Sequence, residues 1–312
     1  MTKKTNKIDL SIIIVTYNNC EATLKTIHSY QKAIDKDKSN SYELIISDNS
    51  PREDVVQQIK QKYPGIKIIH NKSNLGFSKA NNVGFEKSRG KYLLFSNPDI
   101  EVQKNTLPYL LSRMKNSVNV GACTPFLRLA LNNDIDWGAH RGFPTPWASF
   151  SYYSGLLRLS KKFNMLKKQL GKYYLLDCDL NKEHEVDAIR GGFFFIKKDV
   201  FIKAGRWDES YFMYGEDIDL SYQIKKVGYK IMFFPQVEAL HYHGLTTGLK
   251  KHSSQLSLIE KKAKMKAYHA FYDSMKIFYD KNYKNRYSKI ARFLVITGIE
   301  LKRLLGLLSK KV

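Results

Sequence analysis

The chain has 312 residues, 43% of them hydrophobic and 13% aromatic, which is enough apolar material to bury a large core and to exclude disorder throughout. Its formal net charge of +23 implies an anionic partner, whether nucleic acid, a phosphate-rich substrate or an acidic membrane surface. Cys20, Cys123 and Cys178 form no CxxC pair and suggest neither a disulfide framework nor a zinc site, and no apolar run is long enough to span a bilayer.

Met1 to Asp9 is polar and unlike a signal peptide, so a reducing cytosol is the expected setting. Short apolar runs then alternate with amphipathic segments, the pattern of a βαβ sheet with helices on its faces. Leu10 to Val15 is predicted as a central strand leading into Thr16-Tyr17-Asn18-Asn19 and a helix with Leu24, Ile27 and Tyr30 on one side. Tyr42 to Ser47 is a second strand that delivers Asp48-Asn49-Ser50, and Ile66 to Ile69 a third. The small residues and amides of Asn74-Leu75-Gly76-Phe77 suit a loop entering a helix, where backbone N–H groups favour a phosphate; a tight turn explains Gly76 equally well. Tyr92 to Phe95 is a fourth strand. Pro98 cannot join a ladder and ends it, which leaves Asp99 at the carboxyl edge of the sheet, where open α/β folds bind ligands. For that segment alone, a strand-to-turn junction with a solvated acid is the simpler account.

A helix around Leu107 to Met114 and a strand from Val120 to Leu127 follow, and regularity is lost from 129 to 185. There Trp137, His140, Arg141, Phe143, Trp147 and the Phe150–Tyr153 cluster could grip a ring-shaped substrate, although packing of an insertion accounts for most of them. Val186 to Ile196 is predicted as one strand interrupted by Gly191 and Gly192, where the backbone must lie close to something. Glu216, Asp217 and Asp219 fall in the first turn of a helix continued by Leu220, Ile224 and Val227. Helix-start preference explains Asp219 well, and one of the others turned to a cleft would suit a general base. After a strand from Lys230 to Phe234, His241 and His243 could ligate a metal.

In order and spacing, Ile14-Val15-Thr16-Tyr17-Asn18, Ser47-Asp48-Asn49-Ser50, Asn74-Leu75-Gly76-Phe77, Asn97-Pro98-Asp99, Gly191-Gly192, Gly205-Arg206-Trp207-Asp208-Glu209 and Gly215-Glu216-Asp217-Ile218-Asp219-Leu220 resemble an inverting nucleotide-sugar glycosyltransferase of the family 2 type. The resemblance covers residues 10 to about 245. It implies a GT-A fold, a Rossmann-like, mostly parallel sheet flanked by helices, over 1–249, with 129–185 as an acceptor-side insertion. Thr16, Tyr17 and Asp48 match the positions that hold the pyrimidine nucleotide, and Gly76 and Asn97 join them on the donor side. Asn97-Pro98-Asp99 matches an Asp-x-Asp motif that binds the diphosphate through Mg²⁺ or Mn²⁺; Asn97 replaces its first acid, so Asp99 is left as its acidic ligand. His241 matches the position that completes the metal site, with His243 second. Asp217 matches the catalytic base, and Glu216, Gly191, Gly192 and Trp207 fall on the acceptor side.

Within the family, the Asn-Pro-Asp and Gly-Glu-Asp-Ile-Asp-Leu segments resemble bacterial rhamnosyltransferases that extend surface polysaccharides. A dTDP-rhamnose donor is therefore expected first and a UDP-hexose or UDP-galactofuranose second, with a glycan or lipid-linked glycan as acceptor. The segment 250–312 holds fifteen Lys or Arg from Lys251 onward against four acids, and reads as a basic amphipathic helical extension. Its first helix is expected to dock on the enzyme and its last to meet the anionic inner leaflet of the cell membrane. Nucleic-acid binding is the competing reading of the charge, but no helix-turn-helix, zinc-finger or RNP-like motif accompanies it.

Overall fold

The computed structural model describes residues 7–242 and 261–308. The segment 243–260, which includes His243, lies outside the described residues. β1 (Leu10–Thr16) runs parallel to β2 (Tyr42–Asp48) on one side and β4 (Tyr92–Ser96) on the other, and β3 (Lys67–His70) extends the sheet beyond β2. The crossovers are α1 (Cys20–Lys36), α2 (Asp54–Lys62) and α3 (Phe77–Glu86). All four parallel strands therefore end at the same edge, which is where Asp99 follows β4.

The second half adds β5 (Ile100–Val102), α4 (Thr106–Lys115) and β6 (Val120–Leu129), then the short helices α5 (Pro146–Tyr153), α6 (Leu157–Lys162) and α7 (Lys167–Leu170). It continues through β7 (His184–Val186), β8 (Phe193–Lys197), α8 (Lys198–Lys203), α9 (Glu216–Lys226) and β9 (Lys230–His241). The strand order is β3-β2-β1-β4-β8-β6-β9-β5, with β7 also on β9. Alternation along the central strands feeds two cores. Ile12, Ile14, Leu44 and Leu94 face Ile27, Tyr30 and Leu110, while Ile13, Ile45 and Phe95 face Phe85, Phe201 and Ile224.

Two strand expectations change. The run from Val186 to Ile196 is two strands, because β7 pairs with β9 while β8 pairs with β4 and β6, and the chain must turn at Arg190–Gly192 to move between them. The last strand continues beyond Phe234 to His241, since a register shift opposite Pro125/Phe126 lets it stay paired with β6 and pick up β5. That extension brings His241 opposite Ile100, one residue from Asp99.

Two long helices, α10 (Lys261–Asn282) and α11 (Lys289–Leu308), form a hairpin at the carboxyl-terminal side. Phe278, Tyr279 and Tyr283 pack with Tyr211 in a third core. Lys281 and Asn282 both hydrogen-bond Asp219, at 2.7 and 2.8 Å, so this acid anchors the hairpin to α9. α11 is held against α10 by Tyr268 Oη on the Arg303 carbonyl (2.6 Å) and by the Lys276–Glu300 pair (2.8 Å), yet it has no buried residue.

Entry into α3 is the tightest turn beside the cleft. Gly76 has φ +84°, and a Cβ there would run into the Phe212 carbonyl oxygen that accepts the Phe77 N–H at 2.8 Å. Gly76→Ala should lower stability by about 1–3 kcal/mol in urea denaturation; an unchanged midpoint would show that this turn tolerates a side chain.

Candidate active site

The carboxyl edge of the sheet opens into a cleft of about 1380 Å³. Val15, Thr16 and Tyr17 reach it from β1, Asn49 from β2, Asn74, Gly76 and Phe77 from the entry to α3, and Asn97, Pro98 and Asp99 from the end of β4. Arg190, Gly191 and Gly192 come from the turn before β8, Glu216 and Asp217 from α9, and His241 from β9. The sheet thus gathers Thr16, Tyr17, Gly76, Asn97, Asp99, Gly191, Gly192, Glu216, Asp217 and His241 on one cleft. Gly191 and Gly192 lie at close approaches: a Cβ there would sit 3.1 Å from the Phe77 ring and 2.8 Å from the Asn97 amide.

Asp48 and Trp207 lie elsewhere. Asp48 is fully buried behind the cleft; it accepts from the Ser50 hydroxyl (2.6 Å) and N–H (3.1 Å) and meets His70 Nδ1 at 2.9 Å. Ser50 in turn receives the Asn18 N–H at 2.9 Å, so Asp48 fixes the turn after β1 from within. Trp207 is 2% exposed and does not line the cleft; its ring packs edge-on to Phe77, Phe95 and Phe194.

The 129–185 segment departs from expectation in the other direction. Trp137, Arg141, Trp147, Phe150, Tyr152 and Tyr153 line the cleft, so most of its aromatics are wall rather than filling. His140 does pack inward, with its Nε2 2.6 Å from that of His184; burial first, then His184, pushes its pKa down to about 4.

Asp217 is held from three sides. Its Oδ2 accepts from Arg141 Nη2 at 2.8 Å and from the Gly191 N–H at 3.1 Å, and its Oδ1 accepts from the Ile218 N–H at 2.8 Å. Glu216 beside it is treated differently. Its side chain is buried, its Oε2 has no hydrogen-bond partner, and burial followed by the Asp217 charge pushes its pKa up to about 8 against the partial relief of Arg141 and Arg190. The two neighbouring acids thus have different surroundings: Asp217 is hydrogen-bonded and paired with Arg141, whereas Glu216 is buried with one carboxyl oxygen unpartnered.

On the other side of the cleft floor, His241 is bracketed by two carboxylates. Its Nδ1 is 2.7 Å from Asp136 Oδ2 and its Nε2 is 3.5 Å from Asp99 Oδ1. Burial opposes the imidazolium, but Asp99 and Asp136 outweigh it and raise the His241 pKa. Arg190 closes the chain, with Nε and Nη2 at 2.8 and 2.9 Å from Asp136. Both Asp99 oxygens are buried and accept no hydrogen bond, which is costly unless a cation or donor completes them. A carboxylate and an imidazole oriented by a second carboxylate suit a divalent metal that takes its remaining ligands from phosphate and water. Among the described residues no group of three or more His, Cys, Asp or Glu is arranged to hold such an ion alone.

Asp136 and Arg190 escaped the sequence reading, and Arg141 entered it only as one of several residues that might grip a ring. Asp136 follows β6 in an aperiodic stretch; the one signal is an acid set between Ile135 and Trp137, two residues that cannot both face water.

The Glu216 environment sets a pH response. A carboxyl whose folded pKa is raised binds a proton that the unfolded chain has already released, so its contribution to stability falls as pH rises from about 4.5 through about 8. Glu216→Gln should flatten the loss of melting temperature over that interval; a wild-type slope retained in the variant would count against a protonated Glu216.

A profile of Glycosyl transferase family 2 matches residues 11–203. An N-acetylglucosaminyl-diphospho-decaprenol L-rhamnosyltransferase of Mycobacterium tuberculosis is 23% identical over 250 residues, spanning 77% of this chain and 78% of its own. Rhamnosyltransferase WbbL of Escherichia coli is 26% identical over 238 residues, 74% of this chain and 82% of its own, and the low-salt glycan biosynthesis hexosyltransferase Agl10 of Haloferax volcanii is 28% identical over 75% and 67%. The crystal structure of GalNAc-T7 with UDP, GalNAc and Mn²⁺ superposes with a TM-score of 0.56 at 20% identity, over 76% of this chain and 44% of that one. S. aureus TarS gives 0.51 at 13% identity, over 89% and 45%, so this chain spans less than half the length of either structure.

Proposed function

The chain belongs to Glycosyl transferase family 2 and is a glycosyltransferase of the GT-A fold, and from that premise we propose an inverting transfer of rhamnose from dTDP-rhamnose to a hydroxyl of a lipid-linked glycan. The observation that carries this reading is Asp217, fixed on the cleft by Arg141 and the Gly191 N–H across from the Asp99–His241 pair. Rhamnose comes first because two of the relatives are rhamnosyltransferases, one acting on a diphospho-decaprenol acceptor; the hexosyltransferase relative keeps a UDP-hexose second.

In this mechanism the nucleoside end of the donor lies along Thr16, Tyr17 and Asn49, with Asp48 bracing that turn from behind through Ser50. Asp99 and His241 would hold Mg²⁺ or Mn²⁺, which when bound neutralises charge on the departing diphosphate. The acceptor hydroxyl passes its proton to the Asp217 carboxylate as its oxygen bonds to the anomeric carbon and the bond to the diphosphate breaks. A single base on the face opposite the leaving group gives inversion. Glu216, protonated at neutral pH, can donate a hydrogen bond to an acceptor oxygen and so positions it. No described helix is long and apolar enough to cross a membrane. The basic, amphipathic α11 supports a peripheral placement on the anionic cytoplasmic face of the cell membrane.

Incubation with a panel of nucleotide sugars, with and without Mn²⁺, tests the assignment: dTDP-rhamnose should be turned over fastest, and turnover of none of them would end it. Asp217→Asn should lower kcat by about 10²–10⁴ with little change in donor KM, the product of the wild type being inverted by NMR. A retained product, or an Asp217→Asn enzyme of wild-type kcat, would remove Asp217 as the base. EDTA should abolish transfer, and Asp99→Ala should be insensitive to added Mn²⁺; full activity in EDTA would end the metal reading.

A further inference from the structure

The cleft is larger than one nucleotide sugar requires. At about 1380 Å³ it exceeds the roughly 300–1,000 Å³ of ordinary small-molecule sites, and its two ends differ in chemistry. The floor is polar where β1 and β4 end and α9 begins. The far wall is aromatic and aliphatic: Trp147, Phe150 and Tyr153 of α5 share it with Phe271, Leu294 and Ile299 of the hairpin.

That wall does not stop at the cleft mouth. Phe150 and Leu294 line it while remaining 56% and 64% exposed, and Phe293, Leu301, Leu304 and Leu308 carry an exposed apolar strip on along α11. A helix that only closed the domain would turn such residues inward, as α10 does with Tyr272, Phe278 and Tyr279. Charge accompanies the strip. Lys302 lines the cleft with its ammonium 4.2 Å from the centre of the Tyr153 ring; Lys289 lies on the same helix, as do Arg292 and Arg303, which are paired with Asp280 (2.8 Å) and Asp273 (3.2 Å) of α10. An apolar groove that opens to the surface beside cations is complementary to an anionic amphiphile.

We infer that the lobe between α5 and the α10–α11 hairpin binds the hydrocarbon chain of a phosphate-bearing lipid, with Lys302 at the phosphate and the α11 strip as the path by which the chain leaves the bilayer. This rests on the transfer reading above and specifies its acceptor: the sugar on the floor, the carrier lipid along the far wall. The sugar then meets the polar end, the phosphate Lys302 and the chain the aromatic and aliphatic side chains, so one molecule satisfies both halves of the cleft.

Binding of farnesyl phosphate to the full-length protein, below its micelle-forming concentration, can be read by the fluorescence of Trp137 and Trp147 on the cleft wall. Affinity should exceed that for farnesol and for inorganic phosphate by at least tenfold. Phe150→Asp with Leu294→Asp, both at exposed positions where folding should survive and can be checked by melting, should weaken it by at least tenfold. Lys302→Gln should remove the advantage over farnesol. Equal binding to wild type and the aspartate variant, or no advantage over inorganic phosphate, would overturn the inference. So would flotation with phosphatidylcholine–phosphatidylglycerol vesicles in the absence of that advantage, since the strip would then be a membrane contact only. The assay needs no donor, so failure of nucleotide-sugar turnover strikes the transfer reading and leaves this measurement intact.

Discussion

Arg141 and Asp217 are 76 residues apart in sequence and meet at 2.8 Å with both side chains largely withdrawn from water. Burying either charge alone would cost several kcal/mol, and their pairing, completed by the Gly191 N–H, is what allows a carboxylate to sit on the wall of a deep cleft. Three parts of the chain are committed by that contact: the irregular segment after β6, the glycine turn before β8 and the start of α9. Glu216, one residue away but without such a partner, has its pKa pushed up by burial and by the Asp217 charge. Two adjacent acids thus acquire different chemistry from their surroundings rather than from their residue type.

A second buried chain of charge runs Asp99, His241, Asp136, Arg190. It explains why β9 has to outrun its expected end: only by continuing past the register shift to pair with β5 does the strand carry His241 to the side of Asp99. The sheet order is in this sense a device for bringing residues 99, 136, 190 and 241 together. The positive ends of both chains, Arg141 and Arg190, come from outside the parallel half, which lines the cleft through Thr16, Tyr17, Asn49 and Gly76.

What could be read in advance follows from which forces act locally. Leu10 to Val15, Tyr42 to Ser47 and Tyr92 to Phe95 are buried on both faces and announce themselves as apolar runs, and the turn at Pro98 follows from ring geometry. Gly76 and the Gly191–Gly192 pair were legible because a missing side chain marks a close approach, although the partners, Phe212 and Asn97, were not. Asp136 and Arg141 lie in a stretch without periodicity, and their roles exist only through partners 54 and 76 residues away. The packing of Trp207 was illegible for a related reason: a large ring with a polar edge suits a sugar face and a hydrophobic core equally, and its contacts with Phe77 and Phe95 are set by the fold.

The hairpin's place in the cleft also bears on how the protein is assembled. Residues 268–302 contribute one wall, whereas the part of the cleft lined from β1 to β4 is synthesised by residue 99, so in N-to-C synthesis that edge can form long before the hairpin wall exists. Until α10 arrives, the faces of Tyr211 and Tyr222 that it covers, and the far wall of α5, stand open to other chains. The Lys281 and Asn282 contacts to Asp219 therefore close on α9 late in synthesis, and until they form those apolar faces have no cover from their own chain.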